Sequence, residues 1–121
     1  MSHVVLGLGL SSKATRGEVR DLVEGVILRG DIPIEGVRLV ATRMRFVDDE
    51  RVRVGPPVIG VEDATLLDRF PVSGRVGFAA RVAEGCALIG AGIDAELLVS
   101  TTRSTHATAA LAIGSMERGD S

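Results

Sequence analysis

The stretch LLVSTTRSTHATAALAI, residues 97–113, sets a cluster of hydroxyls, one arginine and one histidine between two apolar runs. Thr101, Thr102, Ser104, Thr105 and Thr108 offer hydroxyls, and the Arg103 guanidinium offers a planar fork of donors, so the chemistry available is recognition of an acceptor-rich partner. The bland reading is that these hydroxyls satisfy nearby backbone groups. His106 suits general base work near neutral pH, yet the sequence identifies no carboxylate to orient it, and an exposed loop histidine is the simpler reading.

A second stretch, GLGLSSKAT at residues 7–15, resembles a phosphate-binding turn and fails both nucleotide templates. A P-loop needs Gly before its lysine and Ser or Thr after it, whereas Ser12 and Ala14 flank Lys13. The dinucleotide fingerprint begins with Gly7 and Gly9 but meets Ser12 at its third glycine, where close helix packing is required. A small nucleotide-dependent enzyme therefore survives only as an alternative. A tight turn, with Ser11, Ser12 and Lys13 able to hold an anion near a helix N-terminus, fits better.

Other candidates have plain readings. His3 and His106 lie in no cluster with metal-ligand spacing, so no metal site and no cofactor are expected. Cys86 falls on an apolar helical face and reads as a small core residue. Glu84 reads as a solvated helix residue, or as an acid-base candidate with His106 if the chain is catalytic. Arg43, Arg45, Arg51 and Arg53 are interleaved with Asp48, Asp49 and Glu50, a pattern that predicts local ion pairing.

Composition removes whole classes. Fourteen basic against sixteen acidic side chains give a net charge of -2, and three Phe with no Trp or Tyr leave no stacking platform, so nucleic acid is a poor partner. A single cysteine and a start without a basic n-region predict a cytoplasmic protein. No apolar run approaches the roughly 20 residues of a membrane helix.

These residues need elements to hold them. Residues 3–10 read as a doubly buried strand, and Thr15 with Glu18 resembles a capping box opening a helix through Val19, Leu22, Val23, Val26 and Ile27. Gly30 to Pro33 ends it, and 37–42 reads as a strand parallel to the first. Residues 44–54 fit a hairpin or a short helix equally. A strand at 58–61, a short helix from 62 to 69, an irregular connection over 70–81 and a small-residue helix over 82–91 follow. Strands at 96–100 and 108–113 are separated by the polar stretch, and the tail 114–121 is expected to be mobile. With 121 residues and no internal repeat, the expectation is one α/β domain, three-layer α/β/α, with a mixed, mostly parallel sheet of about five strands.

The helix VAEGCALIGAG, the strand LLVSTTR and the segment RSTHATAALA together resemble the cobalamin biosynthesis proteins called CobE, also found as the C-terminal domain of CbiG. Val82, Ala83, Glu84, Ala87, Leu88, Ala91 and Gly92 match the family helix, and Arg103, Ser104, Thr108, Ala110 and Ala112 match its lysine-serine pair and following small residues. GLGLSS stands at the family's Gly-x-Gly turn, and Ala41-Thr42 at its alanine-threonine pair. The chain departs from the family at Leu10, Ser11 and Ser12, and at Thr101 and Thr102, where basic residues are common.

The resemblance implies a role in vitamin B12 synthesis, with a corrin or precorrin intermediate as ligand and other cobalamin biosynthesis enzymes as partners. Such tetrapyrroles are fringed with carboxylates, so Arg103 would pair with one while Ser104, Thr105 and Thr108 donate beside it. Gly7 to Lys13, Thr42-Arg43 and Thr101 to Ser104 would converge where parallel strands end. CbiG-type proteins are associated with lactone opening, so an auxiliary part in that step or in ring contraction is implied. A non-catalytic interaction domain of a corrin-synthesising assembly is the alternative.

Overall fold

The computed structural model describes residues 3–69, 77–92 and 94–115. Strand β1 (His3–Leu10) is buried on both faces because Val4, Leu6 and Leu8 point one way and Val5, Gly7 and Gly9 the other. A strand of that composition needs a helical layer on each side. Helix α1 (Arg16–Gly30) supplies the first, with Val19, Leu22, Val23 and Val26 buried at helical spacing. Thr15 caps it by accepting the Glu18 amide at 3.0 Å, and Asp31 ends it in a left-handed conformation, φ 57°.

The chain returns through a 3-10 turn, Ile34–Gly36, into β2 (Val37–Arg43), parallel to β1. β3 (Val58–Val61) pairs parallel to β2. Helices α2 (Asp63–Arg69) and α3 (Gly77–Ala91) follow, then the antiparallel pair β4 (Glu96–Arg103) and β5 (Ala107–Gly114). The sheet order is β3-β2-β1-β5-β4, and β5 alone runs against the other strands. One core joins α1 to Leu6, Leu8, Val40, Ala109 and Leu111; the other joins α3 to Val5, Ala41, Val61 and Ala112. The domain is a three-layer α/β/α sandwich on a mixed five-stranded sheet.

Small residues on α3 let it lie almost on the sheet. A Cβ at Gly7 would sit 2.0 Å from the Ala83 carbonyl oxygen, and one at Gly90 would sit 2.9 Å from Val5 Cγ1. Cys86 is fully buried in this layer, and burial pushes its thiol up to about 12, so it is a neutral packing residue at ordinary pH.

Several boundaries differ from expectation. Helix α3 starts at Gly77, inside the predicted irregular connection, because alanines at 79 and 80 continue a helix without the apolar periodicity that marks its later turns. The remainder of that connection, 70–76, lies outside the described residues. Residues 44–54 form no hairpin but two 3-10 helices, Met44–Phe46 and Glu50–Val52, the second a short helix opened within the acidic run by Asp49 accepting the Arg51 amide. Strand β4 runs on to Arg103, which shortens the polar loop to a turn at 104–106. Threonine suits an edge strand whose outer side faces water, so the absence of apolar alternation hid these pairs. Gly114 closes β5 opposite His3 rather than opening a tail, and 116–121 lie outside the described residues.

Candidate functional site

Since β1, β2, β3 and β4 run the same way, Leu10, Arg43, Val61 and Arg103 end at one edge of the sheet, where the β4–β5 turn also lies. The sheet itself divides that edge into two sides.

On the α1 side Glu18 is the junction. Its carboxylate accepts the Ser104 hydroxyl and, at 2.6 Å, the His106 amide, so the first turn of α1 holds the hairpin turn in place. The predicted capping box is therefore half formed: Thr15 caps Glu18, but Glu18 reaches across to β4–β5. The neighbouring turn is closed by its own bonds, with the Ser11 amide donating to the His106 carbonyl, Lys13 to Ser11 Oγ and Ala14 to the Ser11 carbonyl. The Ser11, Lys13 and Ala14 amides are thus already used within the fold. Arg51 clamps this turn from below, chelating Asp49 and donating to the Ser11 and Ala14 carbonyls at 2.9 and 2.8 Å. Ser12 and Lys13 stand exposed at its tip.

On the α3 side Glu84 accepts the Thr101 amide at 2.8 Å, where the β4–β5 register shifts between Val99 and Thr102. That carboxylate braces an irregular edge strand. Arg43 forms a two-pronged pair with Asp63, both contacts at 2.8 Å, tying the end of β2 to the start of α2. The Arg43 guanidinium holds the Asp63 carboxyl below the usual aspartate range. Thr108 pairs with Arg103 across the hairpin and lies beside Gly9, where a Cβ would meet its hydroxyl oxygen.

The other predicted residues fall into three groups. Gly7 and Gly9 are inside β1 under α3, and Thr42 is fully buried with its hydroxyl donating to the Leu8 carbonyl at 2.9 Å; these shape the sheet. Ser11, Arg43, Thr101, Ser104, His106 and Glu84 are at the edge and tied to neighbours, and Thr102 accepts from Arg29 at 3.0 Å. Ser12, Lys13, Arg103 and Thr105 are exposed, and Arg103 makes no ion pair with a described residue. Among the described residues no hydrogen bond or ion pair joins Glu84 to His106, and no group of three metal-ligating side chains occurs.

Glu18, Arg51 and Asp63 were not singled out as site residues by sequence. Thr15-x-x-Glu18 signalled a cap but not the partner 86 residues away, and Arg51 was legible only as one member of a mixed charge cluster.

The Glu18 junction carries a pH prediction. The Ser104 hydroxyl, then the His106 amide, holds the Glu18 carboxyl below the usual glutamate range. A depressed native value means that the stabilisation is present above the unfolded glutamate value and is lost as pH falls through the native one. In an NMR titration the His106 amide proton should therefore move with a midpoint below that of an ordinary glutamate, and Glu18→Gln should abolish the movement. A midpoint at the ordinary value would show that the tie is not kept in solution.

Together, fold and edge define an open-sheet α/β domain that presents hydrogen-bond donors at the carboxyl ends of its strands. The chain belongs to the CobE family of cobalamin biosynthesis proteins: it is 33% identical to Protein CobE of Sinorhizobium sp over an alignment 121 positions long that covers 90% of this chain and 79% of that protein. No protein-family model matches the sequence. A crystal structure of CobE, a protein from the cobalamin (vitamin B12) biosynthetic pathway, superposes with a TM-score of 0.76 at 25% identity over 97% of this chain and 94% of that one. The fold is shared with a putative cobalamin biosynthesis protein G homologue from Sulfolobus solfataricus, TM-score 0.72 at 22% identity, where 93% of this chain spans 37% of the larger protein. It is shared too with cobalamin biosynthesis protein chiG from Agrobacterium tumefaciens, TM-score 0.68 at 20% identity, covering 93% and 98% of the two chains.

Proposed function

We propose that the domain binds a carboxylate-rich corrin intermediate at the carboxyl edge of its sheet, with Arg103 as the anchor. The supporting observation is an exposed guanidinium with no ion pair to a described residue, carried at the end of β4 beside the exposed Thr105 and across the hairpin from Thr108. Ser12 and Lys13 add a second group of exposed donors at the end of β1. A rim of this kind suits a macrocycle whose polar groups lie on its periphery. Binding is favoured over bond cleavage because the two acid-base candidates are not brought into one pair: Glu84 accepts the Thr101 amide, and no hydrogen bond among the described residues joins it to His106. Other enzymes of corrin synthesis are the partners that such a carrier would meet.

Arg103→Ala should leave the thermal midpoint unchanged and weaken hydrogenobyrinic acid by roughly 1.5–3 kcal/mol, the loss of one charge-assisted bond. Arg103→Lys should recover part of the affinity, because charge remains without the planar fork. Raising salt should weaken the wild type more than the alanine variant. Fluorescence titration reads all three, and equal affinity of wild type and Arg103→Ala would remove the site.

A further inference from the structure

A groove of about 360 Å³ runs along α1, sharing no lining residue with the proposed sheet-edge site, between that helix, the Ile34–Gly36 turn and the chain at 53–54. Val23, Ile27, Ile34 and Val54 form its apolar part. Two arginines, Arg20 and Arg53, stand at the same groove, both exposed and neither side chain in an ion pair with a described residue. Most arginines near this side are spoken for. Arg16 pairs with Glu50, Arg29 with Thr102 and Arg51 with Asp49. Asp48 lines an adjoining depression together with Arg53, yet the two form no ion pair.

The backbone forms this groove before any ligand arrives. Gly55 takes φ 133°, a conformation that glycine adopts without strain, and turns the chain from Val54 toward β3. A Cβ there would meet Ile34 Cγ1 at 3.8 Å, so the two walls lie close together beyond Val54. Apolar walls with two guanidinia that pair with no described carboxylate match a molecule with an apolar body and one anionic head. Glu24, one helical turn beyond Arg20, also lines the groove and disfavours a second negative charge.

We infer that this groove is a second ligand site, separate from the sheet edge, for a small amphipathic monocarboxylate whose head meets Arg20 and Arg53 and whose body lies on Val23, Ile27, Ile34 and Val54. The probe is octanoate, followed by amide-resolved NMR on the full chain. Saturable shifts should centre on residues 20–27, 34 and 53–54, with octanol and octylamine each binding at least about tenfold more weakly for want of the ionic contact. The double variant Arg20→Ala/Arg53→Ala should keep the wild-type fold, since neither side chain has an ion-pair partner to lose among the described residues, and should weaken octanoate by about tenfold or more. Glu24→Gln should tighten it about two- to threefold by removing a repulsion. Saturating hydrogenobyrinic acid should leave octanoate bound. Equal octanoate affinity in wild type and the double variant would overturn the site, and so would shifts scattered over the surface. Displacement by hydrogenobyrinic acid would overturn its separateness.

Discussion

Gly7→Ala is expected to destabilise the domain by about 3 kcal/mol, at the upper end of what overpacking costs. The new methyl carbon would lie 2.0 Å from the Ala83 carbonyl oxygen and 2.7 Å from the Ala87 nitrogen. These are backbone atoms of α3, so no side-chain rotation relieves the clash; the helix must lift from the sheet, loosening Cys86, Ala87 and Ala91. Gly9 differs, because its Cβ would meet the Thr108 hydroxyl oxygen and Val82 Cγ1, both on side chains able to move. Gly25 is the control. It lies within α1 with nothing within 4 Å of an added Cβ, so Gly25→Ala should stabilise by about 0.5–1 kcal/mol through helix propensity. Urea denaturation measures both. If Gly7→Ala proved as harmless as Gly25→Ala, α3 would not pack on β1 as closely as described.

Arg51→Ala should cost about 2–3 kcal/mol, far more than removal of a surface ion pair. The Arg51 side chain is 15% exposed and that of its partner Asp49 25%, whereas the side chains of the Arg16–Glu50 pair are 66% and 74% exposed. Loss of Arg51 leaves the Asp49 carboxylate without its counter-charge and takes donors from the Ser11 and Ala14 carbonyls. Arg16→Ala should cost well under about 1 kcal/mol. Arg51→Lys should recover only a fraction, as one ammonium cannot reproduce the fork toward Asp49 together with both carbonyl contacts. The Arg51 side chain also holds the Asp49 carboxyl below the usual aspartate range. Its contribution is therefore present above the unfolded aspartate value and lost as pH falls through the native one, so the variant should show a flatter acid limb of stability than the wild type. Equal losses for Arg51→Ala and Arg16→Ala in urea would mean that the 11–14 turn does not depend on this clamp.

Much of the fold was legible because its strongest signals are local. The apolar run on both faces of 3–10 and the 3.6-residue pattern from Val19 to Ile27 each reflect which faces a segment must bury, a property every stretch carries in its own residues. The family resemblance followed from the same kind of local pattern in the α3 helix and the hairpin. Boundaries failed where burial says little. Residues 101–103 pair as strand through backbone hydrogen bonds that their polar side chains do not announce, and 44–54 settle into 3-10 turns because Asp49, a side chain in the turn itself, caps the second.

What the sequence by itself determined about this protein is the class of its elements, their order, and the set of donors placed at the strand ends, because side-chain type and spacing decide these within a few residues. What only the tertiary structure decided is which of those donors remain available. Thr42 is sealed in the core against Leu8, Arg43 is claimed by Asp63 from the next helix, and Ser104 is held by a glutamate 86 residues away, while Arg103 stays exposed. Availability is the remainder after long-range pairing, and a hydrogen bond between segments depends on how two faces of one sheet are covered, which no single stretch of chain encodes.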